Sequence, residues 1–136
     1  MTFKYNDGGM ATAGFKKPKS DCVVRAIAIA TEKPYMEIHD MINEMAGYDM
    51  ARSGNGVNKK IYNAIMKEFG WKWVATMFVG SGCKVHLVAH ELPHGRLMVR
   101  VSKHMTNMVD GIVHDMCNPS RDGTRAVYGY FIKELK

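Results

Sequence analysis

Paired cysteines are missing from this sequence of 136 residues. Its three cysteines, Cys22, Cys83 and Cys117, are an odd number, and none belongs to a C-x-x-C motif. This pattern argues against a disulfide framework and against a zinc finger. It is typical of a reducing compartment, so we expect a cytoplasmic protein in which Cys22 is a free thiol.

Long apolar segments and glycine-rich nucleotide motifs are missing as well. The first residues, Met1 to Asp7, contain no apolar stretch of the kind that a signal peptide needs. No run approaches the roughly 18 apolar residues of a membrane span. The Gly-Ser-Gly turn at residues 80–82 lacks the lysine and the helix that follow a phosphate-binding loop. We therefore expect no membrane partner and no cofactor.

The composition is that of a globular domain. Apolar residues make up 46% of the chain and charged residues 24%, and the length suits a single domain over residues 1–136. The net charge of +6 permits binding to nucleic acid or to acidic protein surfaces. The basic residues are scattered, however, apart from the cluster Lys16-Lys17-Pro18-Lys19. Nucleic acid is therefore not the favoured partner.

An apolar helix follows a small polar pair near the N-terminus. Ser20 or Asp21 can cap this helix, which places Cys22 in its first turn. Free backbone N–H groups and the helix dipole favour a thiolate there. The run that follows is apolar on every side except at Arg25, which predicts a buried helix over residues 21–31. Arg25 lies one turn after Asp21, and we expect the two to pair.

Hydrophobic spacing divides the chain into a helical half, residues 1–70, and a sheet half, residues 71–136. This order predicts an α+β fold, in which N-terminal helices with a buried central helix pack on a C-terminal antiparallel sheet. Residues 1–20 are expected to form an irregular arm. Further elements are predicted as a helix that begins at Pro34, a helix over 57–69, a helical turn around 89–92, and strands over 73–77, 96–109, 112–116 and 124–132.

Asp110-Gly111, which lies between alternating apolar residues, is a strong signal for a two-residue hairpin loop. Val109 then faces Ile112 across the loop. Continued along both strands, this register places His104 opposite Cys117.

The same register brings two further polar residues near His104. Asp115 shares a face with His104 at a diagonal backbone distance of roughly 7 Å, and Asn118 lies on the other face unless a bulge intervenes. A cysteine nucleophile needs a base, and the base needs an acceptor that orients its ring. Cys22 and His104, together with Asp115 or Asn118, supply these three parts.

These features resemble the papain-like cysteine peptidase superfamily, and within it the C39-like peptidases. The resemblance rests on the Asp21-Cys22 start of a buried helix and, late in the chain, on a strand histidine, a tight turn and a strand that ends in acidic or amide residues. The stretches DCVVRAIAIAT (21–31) and VDGIVHD (109–115) also resemble small uncharacterised proteins of bacteriophages and prophages. The resemblance implies a papain-like thiol hydrolase in the cytoplasm of a bacterial host.

Carried over residue by residue, the resemblance implies Cys22 as nucleophile and His104 as base. Strand parity favours Asp115 as the third member, while Asn118-Pro119 matches the Asn-Pro ending of relatives, and we rank Asp115 first. The implied substrate is a protein or peptide, such as a host bacterial protein, and the implied reaction needs no metal.

One departure from the family concerns the oxyanion hole. Papain-like enzymes usually have a glutamine six residues before the nucleophile, and this chain has Lys16 there. The Cys22 backbone N–H can still donate, with Asn6 or Lys16 as a second donor. Because loss of one donor typically costs about a hundredfold or more in turnover, an alternative function is a catalytically weak papain-like module that binds a host protein or nucleic acid.

Three histidines, His86, His90 and His94, recur every four residues in an irregular segment. The nearby Glu91 and Cys83 do not complete a regular tetrahedral set with them. We therefore expect no metal site.

Overall fold

A computed structural model of the chain describes residues 2–78, 80 and 82–134. Within these ranges the chain forms three α-helices and one sheet of six strands, which confirms the α+β prediction. A 3₁₀ turn at Ala89–Glu91 agrees with the helical turn predicted there. The elements are β1 (Phe3–Tyr5), α1 (Cys22–Thr31), α2 (Tyr35–Ala46), α3 (Lys59–Glu68), β2 (Trp71–Ala75), β3 (Arg96–Val101), β4 (His104–Val109), β5 (Ile112–Asp115) and β6 (Val127–Lys133).

The sheet is mixed, so the prediction of an antiparallel sheet is wrong at one edge. The strand order is β1-β5-β4-β3-β6-β2. The edge strand β1 lies in the segment predicted to be an irregular arm, and it runs parallel to β5, with Phe3 opposite Val113. The other pairs of neighbouring strands are antiparallel. The N-terminal arm is therefore tied to the strand that carries Asp115.

The β4–β5 hairpin has the predicted register. Val109 pairs with Ile112, and the ladder continues to Asn107 and His114. Asp110 has a φ of 50° and Gly111 a φ of 81°, the left-handed backbone that a tight two-residue loop of this kind requires.

The predicted single strand over 96–109 is wrong, because the chain reverses at residues 102–103. Lys103 has a φ of 57°, and Val101 pairs with His104 across this second two-residue loop. The segment therefore forms two strands, β3 and β4. His104 becomes the first residue of a strand beside a loop rather than a residue in mid-strand.

The two faces of the sheet are covered differently. Alternation along β3 directs Met98 toward the helices and Leu97 and Val99 toward the other face. The helical face packs against a core formed mainly by α1, α2 and α3. The opposite face is covered by the segment around Leu87 and Leu92. The helix α1 is consequently buried between the sheet and the other helices.

Several predicted boundaries shift by a few residues. The strand predicted at 73–77 lies at Trp71–Ala75, and the last strand begins at Val127. The predicted turn at 80–82 includes Ser81, which lies outside the described residues. Of the helices described above, the longest has 12 residues, and none is both long enough and apolar enough to cross a bilayer.

Candidate active site

Cys22 is the first residue of α1, and the sheet holds this helix through two side chains. Asn107 on β4 donates from Nδ2 to the carbonyl of Ala26 at 2.9 Å. Arg96 on β3 donates from Nη1 to the carbonyl of Ile29 at 2.7 Å. These bonds link the backbone of α1 to the strands that lead to His104. The half-buried Cys22 thiol is thereby set beside the first residues of β4.

The carboxylate of Asp21 does not cap α1, which corrects the prediction for this residue. Asp21 occupies the N-cap position without a side-chain capping bond, and its side chain is fully buried. It accepts instead from Arg25 Nε at 3.1 Å, from Tyr35 Oη at 2.6 Å and from Arg52 Nη1 at 2.9 Å. Ser20, the other predicted cap, donates from Oγ to the carbonyl of Gly54 at 3.0 Å.

The predicted pair of Asp21 and Arg25 is thus present, but it belongs to a larger buried network that sequence reasoning missed. Burial raises the pKa of Tyr35, and its hydrogen bond to Asp21 raises it further. Arg52 also donates from Nη2 to the carbonyl of Lys17 at 2.8 Å, which ties the N-terminal arm to the network. Sequence spacing could reveal only the i,i+4 pair, because Tyr35 and Arg52 are distant along the chain.

His104 and Asp115 are in direct contact, as the hairpin register predicts. Nε2 of His104 lies 2.7 Å from Oδ2 of Asp115, and Thr106 donates to the same oxygen at 2.7 Å. Met116 donates its backbone N–H to Oδ1 at 2.7 Å. Burial raises the pKa of Asp115, but these hydrogen bonds and the charge of His104 outweigh burial and hold that pKa below its usual value. The ionised carboxylate can only accept, so Nε2 of His104 carries a proton.

Cys22 and His104 shift each other's pKa in opposite directions. Burial raises the pKa of Cys22, but a hydrogen bond from the His104 side chain, a second from the Met105 backbone and the charges of His104 and Arg25 bring it below the usual value. Burial lowers the pKa of His104, yet the interactions with Asp115 and Cys22 raise it to about 9. Because Nε2 faces Asp115, Nδ1 is the ring nitrogen left for Cys22. The arrangement favours a thiolate beside an imidazolium.

Arg25 links helix α1 to Asp115, the carboxylate that contacts His104. Its Nη1 lies 3.5 Å from Oδ1 of Asp115, while its Nε contacts Asp21. Asn118, the alternative third member, is exposed, and its Oδ1 accepts from the backbone N–H of Ser120 at 3.0 Å. The structure therefore brings Asp115, and not Asn118, to His104.

An open cleft of about 350 Å³ lies over Cys22. The two predicted second oxyanion donors do not line it. The side-chain amide of Asn6 lies 3.1 Å from Nδ1 of His114, and Lys16 is exposed. Asn55, from the segment between α2 and α3, does line the cleft. Its lining residues are Ser20, Cys22, Arg25, Gly54, Asn55, Gly56, Lys103 and His104.

Of the three regularly spaced histidines, His86 and His90 contact the same carboxylate, Glu91, and His94 contacts Asp110. His86 lies 3.1 Å from Glu91 and His94 lies 3.3 Å from Asp110, while His90 is 3.7 Å from the second oxygen of Glu91. In the part of the chain that the structure describes, no group of three or more histidine, cysteine or acidic side chains is placed to hold a metal ion.

No family model, no curated protein and no solved structure matches this chain. The resemblance to papain-like peptidases therefore stays a prediction from the sequence.

Proposed function

We propose that this protein is a cysteine hydrolase of papain-like type that cleaves an amide, isopeptide or thioester bond through an acyl-enzyme on Cys22. The observation that carries the proposal is that Cys22, from the first turn of α1, and His104, from the start of β4, line one cleft, while Asp115, from the end of β5, holds the His104 ring from behind it. Each comes from a different element, and each has the chemistry that its role needs.

The proposed reaction begins with the Cys22 thiolate, which attacks the carbonyl carbon of the substrate. The His104 imidazolium, whose pKa of about 9 keeps it charged at neutral pH, gives its proton to the leaving amine or thiol. Water then attacks the acyl-enzyme, with the neutral ring as base, and releases the acid and free Cys22. Asp115 holds the ring in one orientation throughout and stabilises the imidazolium.

The tetrahedral intermediate needs donors for its oxyanion. The backbone N–H of Cys22 is one, because the first N–H groups of a helix have no partner within the helix. We assign the second donor to the carboxamide of Asn55 in the cleft lining. This assignment replaces the glutamine that papain-like enzymes usually place where this chain has Lys16.

A second pocket, of about 270 Å³, is lined by Val57, which follows Gly56 of the cleft lining in the chain, and this pocket offers a place for the substrate. Burial raises the pKa of Tyr62, the charge of Arg100 lowers it, and that of Cys22 raises it, so Tyr62 lies within electrostatic range of both. With Lys59 and Arg100 in its wall, the pocket favours a substrate that carries a negative charge. The lining residues are Val57, Lys59, Tyr62, Asn63, Trp73, Arg100 and Tyr128.

The test is an acyl-enzyme experiment with p-nitrophenyl acetate. The wild type is expected to release a burst of nitrophenol equal to the enzyme concentration and to carry an acetyl group on Cys22 in peptide maps. Cys22→Ala is the control for labelling elsewhere, and His104→Ala should lose most of the burst rate. A wild type without acetyl-Cys22 would contradict the proposal.

A folded protein with an unreactive Cys22 would instead support the alternative of a binding module for a host protein or nucleic acid. A steep loss of affinity with rising salt would then distinguish nucleic acid from a protein partner.

A further inference from the structure

A second cysteine, histidine and carboxylate meet in the segment between β2 and β3. Sγ of the exposed Cys83 lies 3.3 Å from Nε2 of His86. On the other side of the ring, Nδ1 of His86 lies 3.1 Å from Oε1 of Glu91. The side chains of His86 and Glu91 are 34% and 27% exposed. The hydrolase proposed above uses none of these three residues.

The backbone around His86 is fixed by strand-like bonds to the segment that leads into β6. Leu87, which is buried, donates its N–H to the carbonyl of Arg125 at 2.9 Å, and Val127 donates to the carbonyl of Val85 at 2.9 Å. Glu91 is fixed as well, because its Oε1 also accepts the backbone N–H of His86 at 3.0 Å. The ring of His86 is therefore held between a carboxylate and a thiol.

The position of the carboxylate determines which nitrogen of His86 can act as a base. Hydrogen bonds from His86 lower the pKa of Glu91, with further lowering from the charges of His86 and His90. An ionised carboxylate only accepts, so Nδ1 of His86 carries a proton. In the neutral ring Nε2 is then an acceptor that faces Cys83. The Cys83 thiol therefore has two acceptors within reach, Nε2 of His86 at 3.3 Å and the carbonyl of Val85 at 3.7 Å from the sulfur.

We propose that Cys83 is a second nucleophilic thiol, which forms mixed disulfides with small-molecule disulfides, with His86 as general base and Glu91 as the positioning residue. The Cys83 sulfur attacks one sulfur of the disulfide while its proton passes to Nε2 of His86. A bond forms between Cys83 and that sulfur, the original S–S bond breaks, and the departing thiolate takes the proton from the imidazolium. One thiol and one disulfide enter, and one thiol and one disulfide leave.

The test is reaction of the whole protein with glutathione disulfide near neutral pH, followed by peptide mapping of the mixed disulfide on each cysteine. Cys117, which is also exposed, is an internal reference in every sample. General-base assistance predicts that Cys83 reacts at least about tenfold faster than Cys117. In His86→Gln the ratio should fall to about one, with the rates of Cys22 and Cys117 unchanged as evidence of an intact fold.

A second variant separates positioning from packing. In Glu91→Gln the rate of Cys83 should fall, and the pH at which this rate reaches half its maximum should move, while the Cys117 profile stays as in the wild type. Equal rates for Cys83 and Cys117 in the wild type, or an unchanged ratio in His86→Gln, would overturn the proposal. An unchanged profile in Glu91→Gln would overturn the role of Glu91.

Discussion

Nε2 of His104 lies 2.7 Å from Oδ2 of Asp115, although the two residues are on different strands and 11 positions apart. The other oxygen of Asp115 faces Arg25 of α1 at 3.5 Å. One carboxylate therefore contacts both the histidine of the hairpin and the arginine of the helix that begins with Cys22. The helix and the sheet meet at this group, so changes to it should affect both stability and the reactivity of Cys22.

Asp115→Asn should separate the two candidates for the third member. The amide cannot stabilise a charged ring as the carboxylate does, so we expect iodoacetamide labelling of Cys22 near pH 6 to slow by about tenfold, the effect of one pKa unit. Asn118→Ala is the matched control, because this exposed residue accepts a local hydrogen bond from the backbone of Ser120, and the labelling rate of Cys22 in this variant should stay within about twofold of the wild type. If Asn118→Ala slowed the labelling of Cys22 and Asp115→Asn did not, Asn118 would be the partner of His104.

Arg25→Met should destabilise the fold, because it leaves two buried carboxylates, Asp21 and Asp115, without one of their cations. Breaking a buried pair by removal of one partner costs about 3–5 kcal/mol. Lys33→Met is the control, since the pair of Lys33 with Glu37 is exposed and is worth less than about 1 kcal/mol. Urea denaturation measures the free energy of unfolding of both variants. A decrease of less than about 1 kcal/mol in Arg25→Met would contradict the importance of the network for stability.

The stability of Cys22→Ala should depend on pH through His104. Asp115 and Cys22 together raise the pKa of this residue to about 9 in the folded wild type, and the interaction with Asp115 remains after the thiol is removed. A folded pKa above the unfolded value of about 6.5 means that the charged ring stabilises the fold fully below about pH 6.5, and that this contribution is lost as the pH rises through the folded pKa. Adding His104→Gln should therefore cost most at low pH and least near pH 9, as measured by urea denaturation. A cost that grows with pH would contradict the assignment.

Arg100→Gln should weaken any preference of the site for negative charge. Iodoacetate and iodoacetamide share a leaving group and differ in charge, so the ratio of their rates at Cys22 reports the local potential. One unit charge within about 10 Å contributes on the order of 0.5 kcal/mol in water, or about twofold, and we expect the ratio to fall by about that factor. Lys72→Gln, an exposed change on β2 outside the pocket lining, should leave it unchanged. If the ratio of iodoacetate to iodoacetamide rates were the same in Arg100→Gln and Lys72→Gln, Arg100 would have no role in substrate recognition.

Local signals explain the parts of the fold and site that could be predicted. The Asp-Gly loop determines the β4–β5 register because a two-residue loop allows little choice of pairing. With that register, the contact of His104 with Asp115 follows from strand alternation. The buried helix behind Cys22 and the i,i+4 pair of Asp21 and Arg25 are likewise local patterns.

The parts that could not be predicted depend on distant contacts. Strand β1 has three residues, too few for a periodicity, and is defined by its pairing with β5 at the far end of the chain. The loop at Ser102-Lys103 contains no glycine, proline or asparagine, and a lysine with positive φ has no sequence signal. Asp21 looks like a helix cap until Tyr35 and Arg52, from other elements, occupy its carboxylate.

The central claim is that His104 activates Cys22, and the pH dependence of Cys22 alkylation by iodoacetamide tests it most directly. An ordinary thiol with a pKa of about 8.5 is about 0.3% ionised near pH 6. The wild type is predicted to react there at a rate well above that of such a thiol, because the interaction with His104 lowers the pKa of Cys22. In His104→Ala, alkylation of Cys22 at a comparable rate is predicted to need a pH above about 8. A wild-type profile that rises only above about pH 8 and coincides with that of His104→Ala would contradict the account.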